Sequence, residues 1–154
     1  MNKRLVLIAV LLLVLALIGA YFFYFRSDVV SHEFKGKILS ADNSSITAQG
    51  NFVSPEDLSI LEPDLKTITA SVSNQTRITK LIIYLPSSEE LEKTKGVFYI
   101  SDLKKERKEV DLNTFLTDVE NFGNMAISIK SNKNINNQSE FKALEIEYIP
   151  PPIR

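Results

Sequence analysis

The chain of 154 residues has no cysteine and a net charge of −1, yet its uncharged run of 21 residues, 5–25, stands against an outer part holding all 19 acidic side chains. Lys3, Arg4 and Arg26 precede residue 27, so the outer part keeps 15 of the 18 basic residues and is net −4. This balance excludes a large enzyme, a basic nucleic-acid-binding protein, disulfides, thiolate zinc sites and a lipid-modified cysteine.

In chain order, Lys3 and Arg4 are followed by Leu5 to Phe25 without a polar stripe. As a helix those 21 residues would span about 31 Å, the thickness of a bilayer core. The Tyr21–Phe25 aromatic cluster suits the headgroup level, and the basic N-terminal flank predicts a cytoplasmic N-terminus with residues 27–154 outside. Residues 1–26 are therefore expected to be a signal-anchor helix that holds the chain to membrane lipid through residues 5–25. Cleavage near Ala20 would instead release a secreted domain. Residues 27–32 read as a juxtamembrane link, 33–149 as one extracytoplasmic β domain and 150–154 as a proline-rich tail.

Within the outer part the apolar period is two. Phe34, Gly36 and Ile38 alternate with Lys35 and Lys37, a polar Ala41–Ser44 turn follows, and Ile46, Ala48 and Phe52 resume the pattern, which predicts a hairpin. Pro55 to Pro63 reads as a loop. A third strand is expected at Ile68–Val72, and a central strand with both faces buried at Thr76–Leu85. Ser88–Lys95 suits one helical turn, Val97–Ile100 a fifth strand, and Lys104–Lys108 a charged hairpin tip. Asp111 is placed to cap a short helix. Met125, Ile127 and Ile129 predict a strand, residues 131–139 an Asn-rich loop, and Phe141–Ile149 one last strand with Leu144, Ile146 and Tyr148 inward. The three prolines at 150–152 should then stop pairing. Six or seven short strands with little helix point to an all-β fold, a small OB-like barrel or sandwich.

The stretch Phe34-Lys35-Gly36-Lys37-Ile38-Leu39-Ser40-Ala41-Asp42-Asn43-Ser44-Ser45-Ile46-Thr47 resembles the opening hairpin of small bacterial exported domains of unknown function. The closing segments Ala126–Lys130 and Phe141–Ile146 are similar to that family's final hairpin. Asp111-Leu112 stands where the family has a D-L-x-x-G step, although the glycine is absent here. The resemblance implies an OB-like barrel and brings no activity with it.

Chemistry-bearing constellations are sparse. The single histidine, His32, lies next to the link, too isolated for a triad or a zinc site. The run Glu89-Glu90-x-Glu92 lacks the spacing and glycine of a calcium loop, and no glycine-rich phosphate loop occurs. The expectation is a chain without catalysis, cofactor or metal, whose outer domain serves as a binding or assembly module for an envelope protein. The alternative is a domain that binds an oligosaccharide or other small extracellular ligand, with Tyr84 and Tyr99 as stacking residues. Lys104, Lys105, Arg107 and Lys108 are the candidate partner contacts. The sequence leaves the oligomeric state open.

Overall fold

The computed structural model describes residues 30–153 apart from 57–58, 62, 94–96, 98, 100 and 102. The expected anchor lies outside the described residues, among which no helix is long and apolar enough to cross a membrane. Eight strands are described: β1 (Glu33–Ala41), β2 (Ser45–Val53), β3 (Lys66–Ser71), β4 (Arg77–Ile83), β5 (Lys105–Val110), β6 (Ala126–Lys130), β7 (Glu140–Lys142) and β8 (Glu145–Ile149). Two helices are described with them, α1 (Ser88–Lys93) and α2 (Leu112–Phe122). The strands form one sheet in the order β5-β4-β8-β6-β1-β2-β3-β7. The pairs β3·β7 and β4·β8 are parallel and the others antiparallel.

The first hairpin forms where the alternation places it. Its turn is closed by the Asp42 N–H donating to the Ser45 carbonyl (2.9 Å), while the Asp42 carboxylate accepts the Ser44 and Ser45 amides at 2.7 and 2.8 Å. Ile46, Ala48 and Phe52 point inward from β2, and the Phe34 and Phe52 rings meet edge to face at 5.3 Å. Gly36 stands directly opposite Gly50. A Cβ on Gly36 would sit 2.2 Å from the Gln49 carbonyl oxygen, and one on Gly50 would sit 2.0 Å from that of Lys35. The two strands approach so closely that neither position has room for a side chain.

The sheet is open but strongly curled, and chain length requires the curl. In a flat sheet β7 would lie five strand spacings from β8, about 24 Å. Only Ala143 and Leu144 connect them, and the three Cα steps from Lys142 to Glu145 reach at most about 11 Å. The curl wraps one face around Phe34, Ile38, Ile68, Ile129, Phe141 and Ile146, all buried. A barrel needs a ladder joining the two edges. Here β5 and β7 end the sheet and pair only with β4 and β3 among the described residues, so the expected closed barrel does not form.

Helix α2 covers part of the core. Asp111 caps it, accepting the Thr114 amide at 2.7 Å, and Gly123 ends it at φ 66 with its N–H donating to Val119. Phe115 is fully buried against Tyr148, with ring centroids 5.0 Å apart. Beside it Asp118 Oδ2 accepts from the Tyr148 hydroxyl at 2.5 Å and from Lys80 Nζ at 2.8 Å. This carboxylate ties α2 to β8 and β4.

Four expectations are corrected. Of the fifth strand expected at Val97–Ile100, positions 98 and 100 lie outside the described residues, and the described Val97 and Tyr99 are exposed and belong to no strand. The place beside β4 is taken by Lys105–Val110, an edge strand and not a hairpin tip; its charge suits an edge. The segment Phe141–Ile149 is two strands, because burial passes from the odd positions Phe141 and Ala143 to the even positions Ile146 and Tyr148 and leaves Leu144 exposed. Pairing also resumes after the prolines. The Ile153 N–H donates to the Ile83 carbonyl, and the Leu85 N–H to that of Ile153.

Candidate functional site

Alternation sends every second side chain to the face opposite the core. On β1, β6, β8, β4 and β5 those side chains are largely charged, and register sets them in rows. Glu33 stands opposite Lys130, Lys130 opposite Glu145, and Glu145 opposite Arg77. Two residues along, Lys35, Ser128, Glu147, Thr79 and Glu109 form the next row. Together they line a groove of about 750 Å³. Four carboxylates, from Glu33, Glu109, Glu145 and Glu147, face four cations, from Lys35, Arg77, Arg107 and Lys130.

The groove is internally compensated. Arg77 is paired with Glu145, Arg107 Nε donates to Glu147 at 2.7 Å, and Ser128 Oγ donates to Glu33 at 2.7 Å. The bond to Glu147 raises the pKa of the exposed Arg107 further. Cross-strand charge rows of this kind attract no ligand by net charge. They favour a surface whose own charges alternate in sign.

Adjoining the rows is an apolar hollow of about 220 Å³ formed by Gly36, Ala126, Ile127 and Ile149 and rimmed by Lys35, Ser128 and Glu147. An apolar floor inside a polar rim is the usual anatomy of a protein–protein contact. No groove-lining side chain is aromatic.

The candidate contact residues do not form one patch. Lys105 and Arg107 alternate to the groove side, whereas Lys108 lies opposite Lys80 on the α2 side. Lys104 Nζ sits 5.0 Å from the centroid of the Tyr84 ring, whose hydroxyl donates to Glu106 at 2.7 Å. Tyr84 is thus held by its neighbours, and its hydrogen bond to Glu106 raises its pKa. Tyr99 is 69% exposed and stands in no strand.

His32 is exposed, its Nδ1 2.9 Å from the Lys133 carbonyl oxygen. Glu90 accepts from the Ser87 amide and hydroxyl at 2.8 and 2.9 Å, an arrangement that caps α1. Among the described residues no group of three His, Asp or Glu side chains is placed to hold a metal. In the Lys80–Asp118–Tyr148 cluster, burial followed by the bond to Asp118 pushes the Tyr148 hydroxyl well above its ordinary range. With Tyr148 fully buried, that cluster positions α2.

Sequence reasoning passed over the groove because its residues come from five strands. The outward charges at 35, 145 and 147 were visible as alternation, but not that β6 and β8 lie between β1 and β4. Comparison with models of known families, with curated proteins and with solved structures finds no match.

Proposed function

We propose that this chain is a membrane-anchored, non-catalytic binding module whose β domain recognises another envelope protein through the outer face of its sheet. The observation that carries the reading is the apolar hollow at Ala126 and Ile149 set within compensated charge rows. Such a surface gains from a partner with a small apolar projection flanked by alternating charges. The anchor rests on the uncharged run 5–25 and the basic residues before it, and the hairpin's resemblance to exported domains points the same way. The oligosaccharide alternative finds no stacking ring in the groove.

The test is in-cell cross-linking of the full-length chain in its own source, followed by mass spectrometry, with wild type beside Ala126→Arg. Ala126 is exposed, so the larger side chain fills the hollow without entering the core. Recovery of the same few envelope proteins by the wild type, lost in Ala126→Arg, is the expected result. Equal recovery by both would remove the outer face from the account.

A further inference from the structure

The backbone of β5 is poised for a second partner. The Tyr84 N–H donates to the Lys104 carbonyl at 3.0 Å, and β5 continues opposite β4 as Lys105↔Ile83, Arg107↔Leu81 and Glu109↔Thr79. Bonded and non-bonded pairs alternate in an antiparallel ladder. Lys104, Glu106 and Lys108 therefore spend their N–H and C=O groups on β4, while Lys105, Arg107 and Glu109 turn theirs outward. Among the described residues β5 pairs with no other strand, and its residues 105–109 are exposed.

We propose that β5 pairs antiparallel with β5 of a second copy of this chain, about a two-fold axis at Arg107. In that register the outward groups of Lys105, Arg107 and Glu109 meet those of Glu109, Arg107 and Lys105. The side chains match as well, with Lys105 opposite Glu109 and Glu106 opposite Lys108, each twice. The two central guanidiniums come together, but each is held by its own Glu147 at 2.7 Å.

Competing registers fail. Because only odd positions face outward, the axis must fall on a residue. An axis at Glu106 would set Lys105 against Arg107, Lys104 against Lys108 and Glu106 against itself. An axis at Lys108 would need Asp111, whose carbonyl accepts from Phe115 and whose carboxylate accepts from Thr114. Charge usually protects an edge from any strand; here the order of signs admits one.

Six residues bury less than the roughly 1,200–2,000 Å² of a stable interface, so the pairing gains from tethering both copies in one membrane. The dimer would join two outer faces edge to edge; it rests on the membrane anchor of the proposed function and not on the proposed partner recognition.

The chain has no cysteine, so single thiols report the register directly. Full-length Arg107→Cys, oxidised in membranes of expressing cells, should give a disulfide dimer, because directly opposed Cα atoms lie about 5.5 Å apart. Glu109→Cys alone should give about tenfold less, its two copies lying about 13 Å apart along the strands. Mixing Lys105→Cys chains with Glu109→Cys chains should restore the dimer with Arg107 intact. Equal dimer from Arg107→Cys and Glu109→Cys, or none from both Arg107→Cys and the mixture, would overturn the proposal.

Discussion

Asp118→Ala removes the carboxylate that links α2 to Lys80 and Tyr148 of the sheet, and its cost follows from what is left behind. The Tyr148 hydroxyl, 0% exposed, loses its acceptor, which costs about 1–3 kcal/mol for a buried unsatisfied group. Lys80 loses its counter-ion, but its side chain is 22% exposed, so part of its hydration is recovered and the full about 3–5 kcal/mol of a broken buried pair does not apply. The sum is about 3 kcal/mol. Tyr148→Phe leaves the Lys80–Asp118 pair in place and should cost about 1 kcal/mol. In the double variant the hydroxyl is gone before its acceptor is lost, so the two effects should fall short of additive by about 1 kcal/mol. The assay is urea unfolding followed by circular dichroism and tyrosine fluorescence, since the chain has no tryptophan. A cost below about 1 kcal/mol for Asp118→Ala, or strict additivity, would refute the anchoring role.

Gly50→Ala should destabilise by about 3 kcal/mol in the same assay, because its methyl group meets β1 backbone and no side chain that could yield. The Tyr148 pKa is raised in the folded protein, so its contribution is complete below the ordinary tyrosine value of about 10 and lost at higher pH. An alkaline loss of stability that Tyr148→Phe removes is the expected result. Asp42 behaves oppositely, since four bonds from Ser44 and Ser45 lower its pKa from 3.8 to about 2. Its contribution should be present above the unfolded value and vanish as pH falls through about 2, and Asp42→Asn should flatten that acid limb of the unfolding midpoint. Finally, a thiol at Asn132→Cys, an exposed loop position, should react with a membrane-impermeant maleimide on intact cells or spheroplasts; labelling only after lysis would contradict the proposed orientation.

The strands that were legible are those with period-two burial and a definite turn. Phe34–Phe52 closed on Asp42 as expected, and Asp111 capped α2, because both signals are local. Lys105–Val110 could not be read as a strand from propensity, since its only apolar member is Val110. What fixes it is non-local, namely the vacant side of β4 and the start of α2 at Leu112. The division of Phe141–Ile149 was hidden for a related reason. A change of burial parity at Leu144 looks like continuous alternation until Ala143 is known to be a core residue and Leu144 an exposed one. The groove was illegible because a charged outward face becomes a site only when strand order brings Glu33, Lys130, Glu145 and Arg77 into one row.

The outer sheet face is proposed to meet a partner in the cell. A photo-activated cross-linking residue at Ser128, within the groove, compared with one at the exposed Asn113 on α2, tests it most directly. Ser128 should capture a defined envelope protein, Asn113 should not, and Ala126→Arg should abolish the capture. Equal capture from both positions, or capture that survives Ala126→Arg, would contradict the proposal.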